Sequence, residues 1–172
     1  MIDKKYYKKI AKSFVARAEN KFDTDLKNID FYTAKNLPKD LERALWKYYS
    51  TIPPASVFLG EKVIVMKLPH FESKTYFKKT LSHEFGHLVD FLLGKKLSGG
   101  DRKLSDLEKL DFTERKKNAI KVDLLDTEEN VSNLIGKIIR GEKLNEKEKK
   151  FVEKIKEKSQ HHVQLTDGLL WR

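Results

Sequence analysis

Apolar residues recur along most of this chain at three- and four-residue intervals, with lysine, arginine and glutamate between them, so most segments read as helices with one apolar stripe. Ile2, Tyr6, Ile10, Phe14, Ala18 and Phe22 mark a first helix whose opposite face is basic. Asp23 to Lys35 alternates loosely and reads as a short strand or an irregular link. A second helix opens with Pro38 in its first turn, runs through Leu41, Ala44, Leu45 and Tyr48, and stops at Ile52-Pro53-Pro54. Ser56 to Lys67 changes period: β-branched and apolar residues flank Gly60, which predicts two strands folded over a turn. Phe77, Leu81, Phe85, Leu88 and Leu92 then form the stripe of another helix, with Ser73 as its N-cap and Gly94-Lys95-Lys96 as its stop. Lys95 to Lys103, with Ser98-Gly99-Gly100, reads as a loop. Beyond it the pattern predicts helices over Leu104 to Ala119, Thr127 to Arg140 and Asn145 to Lys158. The last of these has only Phe151, Val152 and Ile155 to bury, and the apolar ending from His161 to Arg172 is expected to pack back on the domain. The expectation is one α+β domain over residues 1–172, mostly helical, with a small hairpin or sheet before the helix that follows Ser73.

That helix carries the candidate chemistry. Within Thr80-Leu-Ser-His83-Glu84-Phe-Gly-His87-Leu-Val-Asp90, the two histidines lie one helical turn apart, beside the apolar stripe and on the same flank as Tyr76 and Asp90. Both imidazoles can therefore hold one Zn2+, and Glu84 beside them is placed to take a proton from water. This is the layout of a zinc hydrolase.

Composition narrows the choices. With no cysteine among 172 residues, neither a disulfide framework nor a thiolate zinc site is possible, so a metal must be held through nitrogen and oxygen. Lys and Arg number 36 against 26 Asp and Glu, a formal charge of +10. The lysines are spread along the chain and interleaved with glutamate, which describes a solvated surface better than a dedicated polyanion site, and no groove-reading or base-stacking motif accompanies them. No stretch approaches a membrane span, and the N-terminus lacks the apolar core of an export signal. The expectation is a chain that is cytoplasmic or associated with a phage particle, its oligomeric state open.

Two histidines leave a catalytic zinc site one protein ligand short. Glu129 is the leading candidate: it lies in Thr127-Glu128-Glu129-Asn130-Val131-Ser132-Asn133-Leu134-Ile135-Gly136, at the edge of a stripe formed by Val131, Leu134, Ile135 and Ile138. Glu128 is its competitor. The stretch from His83 to Asp90 resembles the metal-binding helix of the zincin metallopeptidases, and its His-Glu-Phe-Gly-His-x-x-Asp form resembles the peptidase domain of anthrax lethal factor and related domains of phage head proteins and toxins. Glu129 to Asn133 is similar to the Glu-x-x-Ser-Asp segment with which thermolysin-type gluzincins supply the third ligand, Asn133 replacing an aspartate that orients a histidine. A rival correspondence places Thr166-Asp167 in a Ser-Asp-apolar stretch of the phage-associated domains, which makes Asp167, or a residue beyond Arg172, the third ligand.

The resemblance implies a mostly helical zincin-like domain acting as a zinc-dependent endopeptidase on a peptide or protein substrate, with His83, His87 and Glu129 on the metal and Glu84 as general base. One of the strands within Ser56 to Lys67 could pair with an extended substrate. His161, His162 and Tyr76 are candidates to stabilise the developing oxyanion. The alternative is a non-catalytic domain on the same scaffold, in a phage particle or toxin.

Overall fold

The computed structural model describes residues 2–93 and 124–151, the side chains of 124–128 excepted. The predicted Gly94 stop, the loop through Ser98-Gly99-Gly100, the helix over 104–119, the end of the helix after 151 and the apolar ending lie outside the described residues.

The architecture is α+β. Helix α1 (Lys4–Phe22) leads to strand β1 (Asp30–Thr33), helix α2 (Lys39–Tyr49), strands β2 (Ala55–Phe58) and β3 (Val63–Met66), helix α3 (Lys74–Leu92) and helix α4 (Leu124–Arg140). A further helical stretch begins at residue 146 behind a capping box in which Asn145 Oδ1 accepts from Glu148 N and Glu148 Oε2 accepts from Asn145 N.

The stripe on α1 differs in register from the four-residue spacing. Strict steps of four drift by about 40° each on a helix of 3.6 residues per turn, and the buried row therefore runs Tyr7, Ala11, Phe14, Ala18 and Phe22, with Tyr6 and Ile10 at its border. On α2 only Leu45 is fully buried; Tyr48, expected on the inner face, is 52% exposed, beside Trp46 and Tyr49.

The ambiguous stretch after α1 does contain a strand. β1 pairs in parallel with β3 from Asp30↔Val63 to Thr33↔Met66, and β2 pairs with β3 antiparallel from Ala55↔Met66 to Phe58↔Val63. The order β1-β3-β2 puts Val63-Ile-Val-Met66 in the centre, where all four residues are buried. Among the described residues the outer edge of β2 has no partner strand. The hairpin turn places its left-handed residue at Lys62 (φ 53°), leaving Gly60 without that duty.

One hydrophobic cluster joins these elements. Tyr7 donates its hydroxyl to the Ile64 carbonyl at 3.0 Å, tying α1 to the central strand. Phe85, fully buried on α3, meets Phe14 of α1 edge-on at 6.0 Å and Phe31 of β1 at 5.8 Å. This aromatic packing fixes the rear of α3, and Ser73 caps its start by accepting from Tyr76 N at 3.0 Å. Among the described residues no helix is long and apolar enough to cross a membrane.

The most extensive packing in the described structure is between α3 and α4. Its seam is made of small residues: a Cβ added at Gly86 meets the Ser132 carbonyl oxygen at 2.3 Å, and one added at Gly136 meets the Ser82 carbonyl oxygen at 3.0 Å. Ser82 and Gly86 on one helix thus face Gly136 and Ser132 on the other, each pair four residues apart. Glycine inside a helix costs about 1 kcal/mol relative to alanine, and here it permits backbone-to-backbone approach that any side chain blocks. α4 closes with a Schellman motif at Gly141 (φ 75°): Glu142 N reaches the Lys137 carbonyl and Gly141 N the Ile138 carbonyl, both at 3.0 Å. Arg17 of α1 donates to the two remaining carbonyls, of Ile139 and Arg140.

Candidate metal centre

His83 and His87 each follow a seam residue, Ser82 and Gly86, so the close approach of α4 carries its own side chains directly over the imidazoles. Glu129 Oε2 lies 3.0 Å from His83 Nε2, Glu129 Oε1 lies 3.1 Å from His87 Nε2, and the two Nε2 atoms are 3.0 Å apart. The imidazole planes are nearly perpendicular, at 87°, with ring centroids 4.6 Å apart. Both imidazole side chains are 21% exposed and Glu129 is 50% exposed, which leaves the cluster open to solvent on one side.

These three residues form a group that could hold a metal ion. A tetrahedral zinc with ligand bonds of about 2.0–2.1 Å has ligand–ligand edges of about 3.3 Å, and the three separations here fall within a few tenths of an ångström of that value. The tautomer agrees. Asn133 Oδ1 can only accept, so at 2.9 Å from His83 Nδ1 it is matched to an Nδ1–H, and Nε2 is the nitrogen that faces the cluster and is open to a metal. Three electron-pair donors at this spacing repel unless a proton or a cation lies among them. The ionisation behaviour reflects that demand: the carboxyl of Glu129 is held well below its usual range by hydrogen bonds from His83 and His87. For His83, burial pushes the imidazole pKa down, but contact with the Glu129 carboxylate outweighs it and the net shift is upward.

Glu84 takes no place in this triangle. It is partly buried next to His83, and burial raises its carboxyl above the usual range, opposed by the neighbouring histidines. Asp90, one turn beyond His87, is buried at 4% exposure.

No family model, curated protein or solved structure matches this chain.

Of the residues named from sequence, the structure thus assembles His83, His87 and Glu129, with Glu84 beside them and Asn133 behind His83. Tyr76 is not brought to the cluster: it sits two turns before His83, about 10 Å along the helix axis, with its ring against Phe71 at 5.4 Å and His70 at 6.3 Å. The Glu128 side chain, His161, His162 and Asp167 lie outside the described residues. Sequence reading missed the seam that sets the height of Glu129 above the histidines. Its signal was present, since Ser82/Gly86 and Ser132/Gly136 repeat one Ser-x-x-x-Gly spacing on the two helices.

The Asn133 contact leads to a prediction. Second-shell partners of a ligating histidine typically contribute about 10- to 100-fold in metal affinity, so Asn133→Ala should weaken zinc binding by that factor, while Asn133→Asp, which accepts from Nδ1 with a full charge, should retain it. Competition against a chromophoric chelator measures both. Equal affinity in wild type and Asn133→Ala would show that the amide does not orient His83.

Proposed function

We propose that this chain is a zinc-dependent peptidase in which His83, His87 and Glu129 hold the metal and Glu84 is the general base. The observation that carries the proposal is the convergence of three nitrogen and oxygen donors on a zinc-sized triangle, with a burial-shifted carboxylate on the next helical position. Zn2+ bound in that triangle supplies a Lewis acid that activates water and polarises a carbonyl. Glu84 takes the proton from the attacking water at its carboxylate and delivers it to the leaving amine, which returns the base to its starting state. Its raised pKa makes the carboxylate a stronger base toward the attacking water. The substrate we assign is an extended peptide lying along the edge of β2 that has no partner strand among the described residues, a strand packed against α3, where main-chain pairing positions a scissile carbonyl.

The test joins metal content to activity. Purified without chelator, the chain should contain about one zinc per molecule by elemental analysis. It should also cleave members of a diverse peptide library, lose that activity to a chelator and regain it with zinc. A protein that stays metal-free although folded overturns the zinc assignment. A zinc-loaded protein that cleaves nothing leaves a metal-binding domain and overturns the peptidase.

Zinc uptake should also release protons. His83, whose pKa in the metal-free protein is raised, carries a proton at a pH where an ordinary imidazole is mostly neutral, and that proton must leave before Nε2 can ligate. Apparent zinc affinity falls as the pH drops through the His83 pKa and levels off above it, and calorimetric heats depend on the ionisation enthalpy of the buffer. A pH-independent affinity between about 5.5 and 8 would exclude His83 as a ligand.

A further inference from the structure

A hollow of about 260 Å3 opens between α1, the first half of α3 and the end of α4, and none of His83, His87 and Glu129 lines it. Arg17, Lys78, Lys79 and Arg140 reach it against a single carboxylate, Glu142. That carboxylate is already engaged. Arg140 Nε and Nη2 donate to Glu142 Oε1 and Oε2 at 2.6 and 3.0 Å, and Arg140 Nη1 donates to the Ser82 hydroxyl, so this arginine and this glutamate neutralise each other. Among the described residues Arg17 uses only Nη1, on the α4 carbonyls, which leaves Nε and Nη2. Neither Lys78 nor Lys79 forms an ion pair among the described residues.

Among the described residues, Arg17, Lys78 and Lys79 therefore meet around one small hollow in which Glu142 is the one carboxylate, and the mutual repulsion of these cations is a cost that a bound anion offsets. Ser13 and Thr75 add hydroxyl donors to the same rim, and Ile10 and Phe14 line it with apolar surface. A guanidinium fork, two ammonium groups and two hydroxyls offer more donors than the two oxygens of a carboxylate can accept. A tetrahedral oxyanion with three or four oxygens satisfies them. We propose that this hollow is a phosphate-binding site that takes free phosphate or the phosphoryl end of a small monoester. The proposal does not depend on the metal centre.

The test is a titration of the isotopically labelled, metal-stripped full chain with inorganic phosphate, followed by two-dimensional amide NMR at constant ionic strength. Saturable shifts should appear at Ser13, Arg17, Thr75 and Lys79. They should persist in the His83→Ala variant, which removes the competing possibility of phosphate at the metal centre. Lys79→Gln, at an exposed position, should weaken binding about tenfold, as expected for loss of one charge-assisted hydrogen bond, and Lys78→Gln with Lys79→Gln should abolish saturation with the melting temperature unchanged. Phosphoserine distinguishes the source: saturation by it as well as by inorganic phosphate assigns a monoester site, and saturation by inorganic phosphate alone assigns the free ion. Shifts that rise linearly, that acetate reproduces, or that survive the double lysine variant overturn the proposal. So does saturation only by a single-stranded oligonucleotide, which would mark a polyanion strip.

Discussion

Glu84→Gln is expected to keep full zinc affinity and lose hydrolysis, whereas His83→Ala, His87→Ala and Glu129→Ala are expected to lose the zinc. The two outcomes separate because the groups do different work. Glutamine keeps the shape of Glu84 and removes only its capacity to take a proton, and general-base catalysis contributes about 100- to 10,000-fold. Glu84 is not one of the three mutually close donors, so its loss leaves the triangle intact. Each of the other three removes one corner of that triangle, and two protein ligands do not hold zinc as three do. Their effect on zinc affinity should exceed the Asn133→Ala effect. Chelator competition and a peptide-cleavage rate, measured on the same preparations, decide it. If Glu129→Ala binds zinc as tightly as wild type, the third ligand is another residue. If Glu84→Gln cleaves at the wild-type rate, the base is another residue.

What could be read from sequence was what depends on local spacing. The α3 stripe of Phe77, Leu81, Phe85 and Leu88, its Ser73 cap and the position of both histidines follow from helical period alone, and the structure has them as read. Glu129 was legible for a related reason, as the residue at the border of a buried row that includes Val131, Leu134 and Ile135. The hairpin after Ala55 was legible because its β-branched residues change the period. β1 was legible only as one of two alternatives, since four residues paired in parallel with a strand some thirty positions on leave little local pattern. The ends of α1 and α2 were placed from sequence to within a few residues, but not their form. Both close on a left-handed residue that is not glycine, Asp23 and Ser50, at φ 49° and 55°. The expected burial of Tyr48 on α2 rested on period, and what a helix buries is decided by what lies opposite it. Gly86 and Gly136, finally, were given no role from sequence, because their role lies in the packing of the two helices and not in either segment.

Gly86→Ala should therefore harm the metal centre more than any other alanine placed outside it. Its Cβ lies 2.3 Å from the Ser132 carbonyl oxygen and 2.7 Å from Ser132 Cα, and both are backbone atoms that no rotamer change can move aside. Ordinary contact begins near 3.4 Å, so α4 must withdraw by about 1 Å at the point next to Asn133 and one turn from Glu129. Metal–ligand distances tolerate only about 0.2 Å. The shift thus exceeds the tolerance several-fold, and zinc affinity should fall by two orders of magnitude or more, on the scale of losing Glu129. Stability should fall as well, by about 1–3 kcal/mol of overpacking less the roughly 1 kcal/mol that alanine gains in a helix. Alanine at the other glycines should act in proportion to the space around each. Gly136→Ala meets the Ser82 carbonyl oxygen at 3.0 Å and needs only a few tenths of an ångström, whereas Gly60→Ala has no atom within 4 Å. Zinc affinity should therefore rank Gly60→Ala, equal to wild type, above Gly136→Ala, and both above Gly86→Ala, with denaturant midpoints in the same order. If Gly86→Ala binds zinc like wild type while the helices stay folded, the closeness of the seam does not set the height of Glu129 over the histidines, and the account of the site as a product of the α3–α4 packing fails.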